Sequence, residues 1–170
     1  MLAQLPPLRH PNLHAKVALN MNPYAALAKL GLKLPAPSAP GGNYCSAKTA
    51  GNIVYLAGVI SQTAEGIITG AVGLDRDIDE GYAAARNCAL LQLAVLQQHL
   101  SSLDKIRSIL TVNGYVNSVA GFADSPKVIN GASDLFLELF GESGRHVRAA
   151  IGVSGLPRNA LVELQMTVEI

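Results

Sequence analysis

The last ten residues constrain the fold more tightly than any other stretch. From Leu161 to Ile170, the apolar side chains Val162, Leu164, Met166, Val168 and Ile170 alternate with Glu163, Gln165, Thr167 and Glu169. A period of two makes this a strand with one face on a core and the other carrying polar groups. Residues 146–153 alternate as well: Val147, Ala149, Ile151 and Val153 share one face, and His146, Arg148, Ala150 and Gly152 the other. Between the two runs, residues 154–159 turn the chain, with Gly155 and Pro157 as punctuation.

A strand with one apolar face needs something to cover it, and the sequence supplies two helices. Asp77 followed three residues on by Glu80 has the form of a capping box. Tyr82, Ala85, Ala89, Leu93, Leu96 and Leu100 then recur at spacings of three and four. Cys88, Leu91 and Val95 widen that stripe, so this helix is expected to be buried over most of its circumference against a sheet. A second helix is expected to begin at Ser125-Pro126, with Val128, Ala132, Leu135 and Leu139 as its stripe and Gly141 as its stop.

Residues 44–49 and 53–60 flank the turn signal Ala50-Gly51-Asn52 and suggest a hairpin. The run IVYLAGVI is apolar on both faces and reads as one buried strand. Gly66, Gly70 and Gly73 lack the context of a phosphate loop and read as turns. Residues 105–116 read as a further strand. The order is β-β-β-helix-β-helix-β-β, an α+β fold with one mixed sheet and two helices on one face. With 49% apolar and only 15% charged residues, the uncovered sheet face is expected to be closed by self-association.

Residues 1–42 differ in character from residues 43–170. Seven of the nine prolines lie there, and the segment ends in the extended connector LPAPSAPGG. One short helix fits, with Asn22 as N-cap, Pro23 in its first turn and Gly31 as terminator. The chain thus divides into an N-terminal arm, 1–42, and a folded domain, 43–170. No run of 18 apolar residues predicts a membrane span. The first residues lack the layout of a secretory signal; the acid-poor leader could hint at organelle import, but it is proline-broken and poor in Arg and Ser, so a cytoplasmic protein is expected, with import as the minority alternative. Net charge is +1, and from Asn43 onwards nine Lys/Arg face 12 Asp/Glu, which does not suit a general binder of phosphate backbones. Cys45 and Cys88 match no metal or redox spacing and read as reduced thiols.

Arg148 is the leading site candidate. A guanidinium amid Val, Ala, Ile and Gly needs an anion, supplied either by a structural acidic partner or by a ligand carboxylate, which its planar fork grips with two bonds. The small Ala149, Ala150 and Gly152 leave room for such a ligand. Glu163 is the acid–base candidate; it could equally be a solvated strand carboxylate or the partner of Arg148. His146 could titrate near neutrality or be a lone surface histidine. Tyr44 could bond a ligand or pack, and Gly58 could let a ligand or another chain approach the backbone. No Ser-His-Asp, Cys-His, zinc or nucleotide motif is present.

The segment from Asn43 onwards resembles the Rid (reactive intermediate deaminase, YjgF-like) family. The likeness is carried by GNIVYLAG, by the two helices in order and by FGESGRHVRAAIGVSGLPRNALVELQMTVEI, where the arginine, Leu156-Pro157 and Val162-Glu163 spacing looks like the family signature. The Pro-rich lead-in AKLGLKLPAPSAPGGNYC is similar to a longer-chain subgroup labelled endoribonuclease-like. The resemblance implies a chorismate-mutase-like fold of the bacillus type and a homotrimer whose sheets form a central barrel with clefts between subunits. It implies hydrolysis of small enamines and imines such as 2-aminoacrylate to keto acids and ammonia, with no metal or organic cofactor. It assigns Arg148 to the substrate carboxylate and Glu163 to positioning water, and it places Tyr44, Gly58 and Ala150 in the same cleft.

Three positions depart from the pattern. His146 stands where a small residue or proline is usual, Ala150 where deaminases often carry cysteine, and Ala57 where serine is common. Two other readings stand beside the deaminase: an endoribonuclease or translation inhibitor, for which some family members are named, and a non-catalytic trimer that binds a metabolite or a partner protein, which Ala150 and His146 keep open. The first lacks a basic aromatic platform and a catalytic histidine pair.

Overall fold

The computed structural model describes residues 22–37 and 39–170. The expectations about the leader lie outside the described residues. The first element is α1 (Pro23–Lys29). The Asn22 side chain accepts the N–H groups of Tyr24 and Ala25 at 2.9 and 3.3 Å, and Gly31 follows the helix with φ +67°. Ala26 and Leu27 join the core, which ties this helix to the body.

Antiparallel β1 (Ala47–Ala50) and β2 (Ile53–Leu56) form the expected hairpin around Gly51, whose φ is +61°. The run 53–60 is not one buried strand. It divides into β2 and β3 (Val59–Ile60), interrupted at Ala57-Gly58, and Tyr55 is 55% exposed. Both pieces lie antiparallel on the last strand, β8 (Val162–Glu169): Ile53 faces Glu169 and Tyr55 faces Thr167, then Val59 faces Leu164 and Ile60 faces Glu163. The glycine-rich stretch, expected as turns, also holds a two-rung hairpin, β4 (Gln62–Thr63) with β5 (Gly66–Ile67).

Helix α2 (Ile78–Leu100) starts at the capping box read from the sequence. The Glu80 N–H donates to Asp77 Oδ1 at 2.8 Å, and the Asp77 N–H donates to Glu80 Oε2 at 3.0 Å. Strand β6 (Ser108–Asn117) follows a short 3-10 turn. Helix α3 (Ser125–Phe140) begins one residue earlier than expected. Asp124 is the cap position and Ser125 is already helical and buried. The Asp124 carboxylate makes no cap bond and pairs instead with Lys127 at 3.1 Å. Strand β7 (Val147–Val153) precedes β8.

The main sheet has the order β1-β2-β8-β6-β7, with β3 also on β8. Only β6–β7 is parallel, so the sheet is mixed as expected. Val162, Leu164, Met166 and Val168 of β8 and Val112 and Val116 of β6 are buried under α2 and α3. The helices approach closely where side chains are small. A Cβ on Gly131 would lie 2.0 Å from the Tyr82 carbonyl oxygen, so only glycine fits there. Among the described residues, no helix is long and apolar enough to cross a membrane.

Candidate functional site

The break between β2 and β3 borders a concavity that gathers several of the predicted residues. A Gln92 side chain from α2 holds it open: its Nε2 donates to the carbonyls of Ala57 at 2.9 Å and Leu164 at 2.6 Å. These bonds satisfy the Ala57 and Leu164 carbonyls beside the break. Beside the break lies a cavity of about 460 Å³, lined by Tyr44, Ala57, Gly58, Ile60, Arg158, Glu163 and the connector around Pro40. Three predicted site residues, Tyr44, Gly58 and Glu163, thus meet in one place.

Glu163 and Gly58 fit together for a steric reason. A Cβ on Gly58 would sit 2.1 Å from Glu163 Oε1, so the carboxyl group occupies the space that a side chain at position 58 would need. Burial raises the pKa of this carboxyl above the ordinary carboxylate value, because the half-buried site disfavours charge. Tyr44 is 54% exposed, and its Oη accepts the Gly41 N–H at 3.0 Å, which folds the end of the connector over the cavity rim. Burial pushes the Cys88 thiol up strongly, with the Glu163 charge adding to it. This thiol is a packed core group whose sulfur lies 3.6 Å from the Val162 carbonyl.

Arg148 and Ala150 lie elsewhere. In the β6–β7 register Arg148 is opposite Val112, Ala150 opposite Gly114 and Gly152 opposite Val116. These partners face the helices, so the row Arg148-Ala150-Gly152 also faces α3. Glu163 is opposite Tyr115, which is opposite Ile151, on the other side of the sheet. Arg148 and Glu163 therefore sit two strands apart, about 10 Å laterally, on opposite faces. One chain cannot bring them to the same small ligand.

The guanidinium is also not sealed in the chain as expected; it is exposed, and its partners are neutral. Its Nη1 donates to Asn130 Oδ1 at 2.8 Å and to Ser133 Oγ at 3.0 Å, both on α3. No ion pair involving Arg148 is found among the described residues. A guanidinium carries five N–H donors. Two are used on α3, which leaves the Nε and Nη2 edge, the geometry of a bidentate carboxylate grip.

His146 is not a lone surface histidine. Its Nδ1 is 2.7 Å from the Gly144 carbonyl, its Nε2 is 3.0 Å from Ser133 Oγ, and its ring stands edge-on to Phe136 at 5.8 Å. Burial lowers its pKa and the neighbouring Arg148 lowers it further, while the bond to Gly144 opposes them.

Sequence reasoning missed Asn130, Ser133, Gln92 and Arg158. The first three are ordinary helix residues whose partners are distant in sequence, and no local signal marks them. Arg158 was detectable in principle, since it follows Leu156-Pro157; it has a φ of +58° and forms part of the cavity wall. Among the described residues, no group of three or more His, Cys, Asp or Glu side chains could hold a metal ion.

The comparisons with known proteins agree with this architecture. Residues 24–170 match the family described as "YjgF/chorismate_mutase-like, putative endoribonuclease". Protein TCP17 of Trypanosoma cruzi is 42% identical over 148 residues, which cover 86% of this chain and 92% of that protein. The protein Atu1372 of Agrobacterium tumefaciens, a crystal structure of unknown function, is 40% identical with a TM-score of 0.80, covering 87% of this chain and 93% of its own. The crystal structure of a "putative endoribonuclease" from Shewanella oneidensis is 33% identical with a TM-score of 0.85, covering 88% of this chain and all of that one. With a family match that spans nearly every described residue and two solved relatives above 30% identity, the chain belongs to the YjgF-like, or Rid, family.

Proposed function

We propose that this protein hydrolyses small carboxylate-bearing enamines and imines, of the 2-aminoacrylate type, to keto acids and ammonia. The ligand would sit in clefts between copies of the chain in a homotrimer. The carrying observation is the guanidinium of Arg148, which is held by two neutral acceptors while one full edge remains available. A structural salt bridge would have used a carboxylate for that purpose.

The chemistry needs little else. An enamine protonates at its β-carbon to give the imine. Water then adds to the C=N carbon to give a carbinolamine, and expulsion of ammonia leaves the keto acid. Arg148 would orient the substrate through its carboxylate and Glu163 would hold the attacking water, with Tyr44, Gly58 and Ala150 lining the cleft. Alignment of this kind supplies much of the rate. The raised pKa of Glu163 keeps a larger share of protonated carboxyl at a given pH, so the group can both accept a bond from water and return a proton.

The separation of Arg148 from Glu163 supports the oligomer. Among the described residues, strand β7 pairs only with β6 and leaves its outer edge open, and Val147 (69%) and Ile151 (51%) are exposed on the open sheet face. Such an edge invites cover by a second copy, and a neighbour seated there could bring its own cavity to this Arg148. Two unpaired thiols suit a reducing, cytoplasmic setting.

The test combines turnover with complementation. An amino-acid oxidase generates the imine, and ammonia release is followed in competition with semicarbazide. Arg148→Ala should reduce the rate by about 100-fold. Mixing separately inactive Arg148→Ala and Glu163→Gln proteins should restore about a quarter of wild-type activity, because in random mixed trimers that fraction of clefts has both residues intact. Semicarbazone yield that is the same with and without protein refutes the activity for that substrate, and mixing with no recovery refutes the shared cleft. The endoribonuclease reading is favoured by the name given to the Shewanella relative. It predicts RNA cleavage that Glu163→Ala abolishes; cleavage that survives the substitution points to contamination.

A further inference from the structure

The bonds around Arg148 form a chain whose donor and acceptor roles are fixed from its far end. The Gly144 carbonyl can only accept, so the His146 Nδ1, 2.7 Å away, carries the proton. In a neutral imidazole Nε2 is then an acceptor, and it takes the hydrogen of the Ser133 hydroxyl at 3.0 Å. The Ser133 oxygen, its hydrogen committed, offers a lone pair to Arg148 Nη1 at 3.0 Å. Asn130 Oδ1 takes the second Nη1 hydrogen at 2.8 Å. The row thus runs in one donor–acceptor sense from Gly144 to Arg148, and it ends on the side of the guanidinium away from its Nε and Nη2 edge.

We infer that Ser133 and His146 are positioning residues that lock Arg148 in the orientation that grips a substrate carboxylate. The inference rests on the deaminase reading above, since it assumes that Arg148 holds the ligand. Neither residue touches the ligand. Ser133 fixes the plane of the guanidinium, and His146 fixes the Ser133 hydroxyl so that its oxygen, not its hydrogen, meets the arginine.

The neighbourhood of His146 keeps it in the required state. It is packed by β7, by α3 and by the turn at residues 141–144. From these come Arg148, then Ser133 and Phe136, then the Gly144 carbonyl; Arg148 is the one charged group among these contacts. The adjacent Arg145 and Glu142 pair with each other at 2.9 Å. No carboxylate pairs with His146 among the described residues. Burial and the arginine both favour the neutral ring.

The test uses the full chain, with ring nitrogen shifts of His146 and relaxation of the Arg148 Nε–H as readouts that need no substrate. His146 should show the Nδ1–H tautomer at neutral pH. The Arg148 Nε order parameter should lie in the rigid range in wild type, fall below about 0.6 in Ser133→Ala and recover in Ser133→Thr, which restores the hydroxyl. With imine substrate, kcat should drop about tenfold in Ser133→Ala, the Kd for pyruvate, used as the carboxylate probe, should weaken by a smaller factor, and Thr should restore both. His146→Gln, which offers an acceptor that does not titrate, should keep more activity than His146→Phe, which keeps the ring contact and loses the acceptor. An Nε2–H or protonated His146, or an Arg148 equally ordered without the hydroxyl, overturns the inference. If instead Arg148→Ala leaves both pyruvate binding and turnover unchanged, the deaminase reading has failed, and the tautomer and relaxation results still decide whether the row holds the arginine.

Discussion

Replacing Gly58 by alanine isolates the contact on which the cavity depends. No positive φ is involved at this position, so alanine fits the backbone, and the whole cost falls on side-chain space. The new methyl would meet Glu163 Oε1 at 2.1 Å, Cδ at 3.1 Å and Cγ at 3.4 Å. Only the terminal oxygen overlaps severely, so rotation of the carboxyl group relieves most of the strain. A displaced torsion costs about 0.5–1.5 kcal/mol, and overpacking about 1–3 kcal/mol, so a loss of about 1–2 kcal/mol is expected. Urea denaturation should show it as a midpoint shift of about 0.5–1 M with an unchanged slope. The decisive measurement is a double-mutant cycle. In a Glu163→Ala background the methyl has open space, so the same substitution should cost almost nothing, giving a coupling of about 1–2 kcal/mol. Equal costs in the two backgrounds would show that Glu163 does not occupy the Gly58 cradle, and the steric account of the cavity would fail with it.

Two further outcomes follow from the same packing. Glu163→Gln should be more stable than wild type at neutral pH. Burial raises the folded pKa of Glu163, so the stability tied to its neutral form is complete below the unfolded value and is lost as pH rises through the folded one. Thermal melts should show the two proteins converging on acidification and separating towards neutrality; a gap independent of pH refutes this. Gly131→Ala should be severe, above about 3 kcal/mol or insoluble, because its methyl would meet the Tyr82 carbonyl oxygen at 2.0 Å and backbone cannot rotate aside. Gly155→Ala, where nothing lies within 4 Å, serves as the control, and similar melts for the two would contradict the close approach of the helices.

What could be read from the chain depended on how local the determinant was. The β8 alternation, the Asp77–Glu80 capping box and the Asn22-Pro23 helix start are each decided within a few residues, and each stands in the structure. The helix α3 start was displaced by one because Asp124 and Ser125 are both good cap residues and Pro126 suits either frame. The run 53–60 looked continuous because its interruption is tertiary: a glutamate more than 100 residues later fills the space beside Gly58, and Gln92 satisfies the freed carbonyl. Alternation separated the two rows of β7 correctly but could not say which row faced the helices. That depends on the pairing of Val112 with Arg148, a fact of register. Hence Arg148 and Glu163 could be named as candidates while their placement on opposite sides of the sheet stayed hidden.

The amide that bridges Ala57 and Leu164 makes α2 a mechanical part of the sheet. A strand break is normally a weak seam, since its carbonyls must find water or remain unbonded. Here one glutamine, seated mid-helix and wholly enclosed, clips the two margins together. Tilting or sliding α2 would therefore tug on the cavity wall through Ala57, the neighbour of Gly58, so a load on that helix reaches the site directly.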